Sequence, residues 1–290
     1  MGRRYDTISF LTDYGTADEF VGVVKSVLRD LAPHATVVDL THHVPPFDVR
    51  AGAFALARCI PYIAEGIVLA VVDPGVGTDR RAIAVEVSGG RGVMVGPDNG
   101  LLGPAVALAG GAERAVILDD DSFHLAAPGA TFAGRDVFAP VAAHLCNGTD
   151  LGVLGSPIDP ALLLPSVIPL PRVEGATLVC EAVWVDHFGN VQLNVAPDDL
   201  EEAWGPDWGG RVRVRVGEHV RSMLVVDSYG AIAPGAPGLV VDSYGMLSIA
   251  LDRFSAAEEL GIGPTDLVVL QPAGADDGVT SPVSLRPSAG

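Results

Sequence analysis

The apolar positions of this chain fall into two regimes. In the first, Thr7–Leu11 is a short apolar run that predicts a strand and ends in Thr12-Asp13-Tyr14-Gly15. Phe20, Val24, Val27, Leu28 and Leu31 then recur at helical spacing. Thr16-x-x-Glu19, in front of them, has the form of a capping box, and Pro33 ends the helix. Thr36–Leu40 predicts the next strand and Val49–Cys59 a second helix. Ile67–Val72 is too short for a globular helix and rich in β-branched residues, so it predicts a strand buried on both faces. Ala82–Val87 and Arg91–Val95 predict further strands, Asn99-Gly100 a turn, and Phe138–Leu145 a helix. This alternation of strands and helices predicts a layered α/β domain with a mostly parallel central sheet.

The second regime begins after a proline-rich stretch. Pro157, Pro160, Pro165, Pro169 and Pro171 interrupt an apolar segment that has neither helical nor strand periodicity. Residues 157–173 are therefore expected to link a domain over 1–156 to a second over 174–272. Short alternating runs follow at Thr177–Val185, Val191–Asn194, Arg211–Val216, Ser222–Val226, Gly238–Val241, Met246–Leu251 and Leu267–Leu270. Separated by Gly, Pro and Asp clusters, they predict a smaller β-rich, barrel-like domain. Residues 273–290, rich in Gly, Ser, Pro and Asp, are expected to form a flexible tail. The near-repeat of Val225–Gly230 in Val240–Gly245 is too short to indicate a repeat architecture.

Composition narrows the function. At 290 residues, 49% apolar and only 19% charged, the chain has enough core for two domains. Its net charge of −18 argues against nucleic acid or an anionic membrane surface as partner and suits a cationic ligand. Cys59, Cys146 and Cys180 form no C-x-x-C pair, so a reducing, cytoplasmic setting is expected. Neither a signal-peptide core nor a bilayer-length apolar run is present.

The histidines show no H-E-x-x-H spacing, so no metal is expected, and G-x-S-x-G, G-x-G-x-x-G and Walker A elements are all lacking. What remains are acids and amides at strand ends. Asp73 closes the Ile67–Val72 run, where open α/β sheets place ligands, and Arg80 and Arg81 follow across a Pro-Gly turn. It serves either as a cap of that turn or as a functional carboxylate. Asp13 has the same two readings, an Asx-turn before the helix or an acceptor for a vicinal diol such as ribose. Asp186-His187-Phe188-Gly189-Asn190 is good turn chemistry in its own right.

Six stretches in one order add a resemblance: Thr12-Asp13-Tyr14-Gly15-x-x-Asp18, Val71–Arg81, Gly96–Leu102, Thr131–Pro140, Asp186–Asn190 and Asp242–Ala250. Together they resemble the S-adenosylmethionine (SAM) hydrolases, or SAM hydroxide adenosyltransferases, which are related to fluorinases and chlorinases. The resemblance spans about residues 6 to 272. It implies attack of water on the ribose C5′ of SAM, giving adenosine and methionine, with no cofactor. It also implies a homotrimer whose ligand sites lie between the N-terminal domain of one subunit and the C-terminal domain of its neighbour. Matched position by position, Asp13 resembles the acid on the ribose hydroxyls, Phe47 and Tyr229 the aromatic residues on the nucleoside, and Asp18, Asp186, Asn190 and Ser243 the surroundings of the methionine part.

Asp73 and Arg80 match two members of the family's water-activating Asp–Arg–His triad. The third is missing, because the family pattern T-F-H-G-R-D reads Thr131-Phe132-Ala133-Gly134-Arg135-Asp136 here. An inactivating substitution, a natural non-catalytic SAM or adenosine binder, and a site where Asp73 and Arg80 suffice all fit Ala133; the otherwise intact motif favours the first, an impaired hydrolase. Halide transfer to the same carbon is disfavoured, since the carboxylate of Asp73 repels chloride or fluoride, and the halogenating relatives carry an uncharged residue there.

Overall fold

A computed structural model describes residues 2, 4–167 and 169–274; the expected tail lies, from 275 on, outside the described residues. The chain divides into two compact units, 1–168 and 169–290.

The N-terminal unit carries strands β1 (Thr7–Thr12), β2 (Thr36–Thr41), β3 (Gly66–Val71), β4 (Ala82–Val87), β5 (Gly92–Pro97), β6 (Ala112–Ile117) and β7 (Ser156–Ile158). Among the described residues they form one sheet in the order β2-β1-β3-β5-β4-β6-β7. Pairings β1–β2, β1–β3 and β3–β5 are parallel, and those of β4 and β7 are antiparallel. Five of the seven strands thus share one direction, as a mostly parallel sheet requires. Every residue of β3 is buried, in keeping with its unbroken apolar run. Helices α1 (Phe20–Leu31), α2 (Val49–Cys59), α3 (Gly103–Leu108) and α4 (Ala139–Cys146) accompany the sheet. Phe10, Leu69, Val95 and Phe138 lie at the centre of its core.

Two starts of helices show how local chemistry decides. At α2 the Asp48 carboxylate accepts from the Ala51 N–H at 2.8 Å, a cap worth about 1 kcal/mol. At α1 the capping box expected at Thr16 and Glu19 does not form: the helix begins only at Phe20, and Glu19 makes no side-chain cap. The start of α1 rests instead on aromatic packing of Phe20 against Tyr14 and Phe132.

The C-terminal unit contains β8 (Arg172–Glu174), β9 (Thr177–Val185), β10 (Val191–Leu193), β11 (Arg211–Val216), β12 (His219–Val226), β13 (Pro237–Val241), β14 (Leu247–Leu251) and β15 (Leu267–Pro272), with helices α5 (Pro197–Trp204) and α6 (Ala256–Leu260). Their order is β10-β14-β13-β12-β11-β15-β9-β8, and a further β9–β10 pairing closes seven of them into a barrel. Alternation explains the closure: Leu178, Cys180 and Ala182 of β9 face inward with Val212 and Val214 of β11 and Val268 and Leu270 of β15.

Candidate functional site

The parallel sheet brings two acids to one edge. Thr12 is in register with Val71 across β1 and β3, so Asp13 and Asp73 leave adjacent strand ends in the same direction. Asp73 does not cap the Pro-Gly turn with its side chain. Both its oxygens take Arg80 instead: Nε lies 2.8 and 2.9 Å from the two oxygens, and a terminal guanidinium nitrogen contacts the second. The carboxylate is 6% exposed and the guanidinium 15%, so this is a buried pair. The Arg80 guanidinium also stacks on Phe138 at 5.2 Å from the ring centre. Arg81 turns away to Asp98, whose other oxygen accepts from the Leu164 N–H at 2.8 Å. The consecutive arginines therefore separate into one at Asp73 and one that ties the start of β4 to the residue after β5.

Asp13 does not close the turn before α1. That is done by Thr12, whose hydroxyl oxygen accepts from the Tyr14 N–H at 3.2 Å. Asp13 reaches across to the loop before α2, accepting from the Phe47 N–H at 2.8 Å. Phe47 holds a φ of 68°, which is uncommon for an aromatic residue, and its ring is 73% exposed. The other Asp13 oxygen has no hydrogen bond among the described residues. Asp18 is exposed in the segment leading to α1.

Ala133 is half-buried and precedes a wide, π-type turn over Gly134–Phe138. This segment lies beside the Asp73 loop: a Cβ on Gly77 would stand 3.2 Å from the Ala130 carbonyl oxygen. It also meets Tyr14, since a Cβ on Gly134 would come within 2.2 Å of the phenol oxygen. Asp13, Phe47, Asp73, Arg80 and Ala133 thus gather at one end of the N-terminal unit. Sequence reasoning missed two members of this group. Asn99 donates from Nδ2 to the Val72 carbonyl at 2.9 Å and accepts from the Leu101 N–H at 3.1 Å, fixing the backbone immediately ahead of Asp73. Tyr14 is the other, its phenol pushed up by burial and by the Asp13 and Asp73 charges, against the opposing pull of Arg80. Both lay within the quoted motifs, but their roles depend on which strands are neighbours.

The C-terminal unit holds Asp186, Asn190, Tyr229 and Ser243. Asp186 accepts from the Phe188 and Asn190 N–H groups, each at 2.9 Å, and from the Asn190 amide at 2.8 Å. The turn reading of Asp186–Asn190 is therefore realised in full. Asp242 repeats the pattern, accepting from the Tyr244 N–H at 2.8 Å and the Met246 N–H at 3.1 Å. Its second oxygen takes Ser248 Oγ at 3.0 Å and Gln192 Nε2 at 2.5 Å. Tyr229 is pushed up by partial burial, then by Asp186 and Asp242, so it lies in the field of both turns. Ser243 is exposed at the tip of the second turn. Among the described residues, no group of three or more His, Cys, Asp or Glu is placed to hold a metal ion, and no helix is long and apolar enough to cross a membrane.

This arrangement sits on a chain that two family models match, the SAM hydroxide adenosyltransferase N-terminal domain over residues 8–155 and the C-terminal domain over 180–269. The chain belongs to the SAM hydroxide adenosyltransferase family. It is 46% identical over 259 residues to the (R)-S-adenosyl-L-methionine hydrolase of Salinispora tropica, covering 89% of this chain and 95% of that protein. A fluorinase from Actinoplanes sp. is 28% identical over 269 residues, covering 84% and 90%. Among solved structures, an uncharacterized conserved protein from Thermotoga maritima superposes with a TM-score of 0.83 at 33% identity, covering 91% of this chain and 99% of that one.

The Asp186 turn is testable on its own. Gly189 holds a φ of 80°, and a Cβ there would lie 2.2 Å from Ser255 Oγ and 2.7 Å from Ser255 Cα. Gly175 holds a φ of 64° with open space around it. Gly175→Ala therefore meets only backbone strain, about 1–2 kcal/mol. Gly189→Ala adds overpacking of about 1–3 kcal/mol. Urea denaturation is expected to show the larger loss for Gly189→Ala; equal losses would mean that Ser255 yields freely.

Proposed function

We propose that this chain hydrolyses S-adenosyl-L-methionine to adenosine and L-methionine by attack of water at the ribose C5′. The observation that carries the reading is the buried Asp73–Arg80 pair, which stands beside Asp13 at the sheet end of a family member. The leaving group is a neutral thioether departing from a sulfonium, so no general acid is needed and the difficulty lies with the nucleophile. Arg80 makes three N–H contacts to Asp73. A carboxylate offers about four lone-pair sites, which leaves room for one water proton. In the displacement a new bond forms from the water oxygen to C5′, the C5′–S bond breaks, and its electron pair stays on sulfur. The water proton passes to Asp73 while Arg80 steadies the charge. Such acid–base assistance is worth about 10²–10⁴-fold.

The remaining roles follow from position and chemistry. The unpaired oxygen of Asp13 suits the ribose hydroxyls, Phe47 and Tyr229 offer apolar faces to the nucleoside, and Asp18, Asp186, Asn190 and Ser243 surround the methionine part, where acids suit its ammonium. No cofactor or metal takes part. The net charge of −18 favours the approach of a cationic substrate. The family resemblance implies a homotrimer; light scattering at three times the chain mass of 29.9 kDa checks it. A cytoplasmic location is the expectation, since Cys59, Cys146 and Cys180 form no C-x-x-C pair.

Ala133 lowers the rate, because the third proton-handling group of the triad is lost. It also favours a second reading, a non-catalytic binder of SAM or adenosine. Incubation with SAM, with and without chloride, followed by chromatography decides between them. Adenosine is expected from the unsubstituted chain at a low rate, rising about 10²–10⁴-fold on Ala133→His. Tight binding with no product from either chain would favour the binder. A 5′-chloro product would contradict hydrolysis.

A further inference from the structure

The position vacated by the triad histidine borders a hydroxyl. Gly134, next to Ala133, has no side chain, and that gap lets the Tyr14 phenol oxygen lie against its backbone, only 2.2 Å from where a Cβ would stand. Two rings hold the phenol in place: Tyr14 sits 5.8 Å from both Phe20 and Phe132, and these two meet edge-to-face at 5.2 Å. The Tyr14 hydroxyl has no hydrogen bond among the described residues, nor is it sealed from solvent. Asp13, Asp73 and Arg80 all act on it electrostatically, so it lies within the field of the acid read as the ribose ligand and of the pair read as the water-activating group.

We propose that the Tyr14 hydroxyl is a positioning group for the attacking water, standing where the family's histidine would otherwise act. This rests on the hydrolase reading and deepens it. A water molecule that must aim a lone pair at C5′ has two protons to place, and each needs an acceptor. Asp73 has a lone pair for one of them. Tyr14 Oη accepts the other without taking the proton, and keeps its own throughout. Burial and the two acids favour the neutral phenol, so the group remains a phenol rather than a phenolate across the ordinary pH range. On this account the residual rate of the Ala133 chain depends on Tyr14.

Tyr14→Phe keeps the ring and its packing and removes only the oxygen. With SAM as substrate, kcat is expected to fall about tenfold or more, the magnitude typical of a hydrogen bond made to the reacting group. KM and the melting temperature are expected to stay close to their starting values. In the Ala133→His background the imidazole supplies the second acceptor, so Tyr14→Phe is expected to cost less than twofold, a non-additivity a packing defect would not show. Equal kcat for Tyr14→Phe and the parent, or an equal loss in both backgrounds, overturns the inference and leaves hydrolysis standing. So does adenosine that appears only after Ala133→His. No adenosine from any of the four chains sinks the hydrolase reading and this inference with it.

Discussion

The ion pair between Asp73 and Arg80 is the constraint around which the N-terminal unit is arranged. Two charges withdrawn from water carry a desolvation cost that their attraction offsets only when the geometry is good and the remaining polar atoms are partnered. Here the geometry is two-pronged, and the guanidinium face rests on Phe138. The backbone that aims the carboxylate is itself restrained: β3 is flanked by parallel β1 and β5, and Asn99 holds the Val72 carbonyl. A buried pair without a stabilising task is often no better than an apolar substitute of the same size. Under the proposed hydrolysis, the pair at a strand end beside Asp13 would serve as preorganisation for charge that develops during reaction.

The barrel handles its acids differently. Asp186 and Asp242 each anchor their own turn through a shared pattern in which one carboxylate oxygen takes two backbone N–H groups. The turns are thereby held rigid, and Tyr229 lies in the field of both. Strand ends position Asp13 and Asp73 in one unit; stiff turns position Asp186 and Asp242 in the other.

Much of this was legible in the amino-acid order. The β-branched run of β3 and the apolar face of α2, with Asp48 ahead of it, carry their structure locally, and β9 and β11 follow from simple alternation. What was not legible depends on tertiary neighbours. Thr16 and Glu19 have the right spacing for a capping box, yet aromatic packing at Phe20 sets the helix start instead. The antiparallel placement of β4, between β5 and β6, comes from a sheet order that periodicity does not encode. Helix α5 follows a proline at its first position, a signal present in the chain but masked by the surrounding strand pattern. The approach of Tyr14 to Gly134 joins residues 120 positions apart and could not be read from either.

These observations make the source of the new oxygen atom the central question, because every role assigned to Asp73, Arg80 and Tyr14 concerns water. The direct test is a reaction with SAM in ¹⁸O-labelled water, with mass spectrometry of both products. The account predicts one ¹⁸O in adenosine, at the 5′-hydroxyl, and none in methionine. Adenosine without the label would contradict it, since the displacement at C5′ would then not be the work of water.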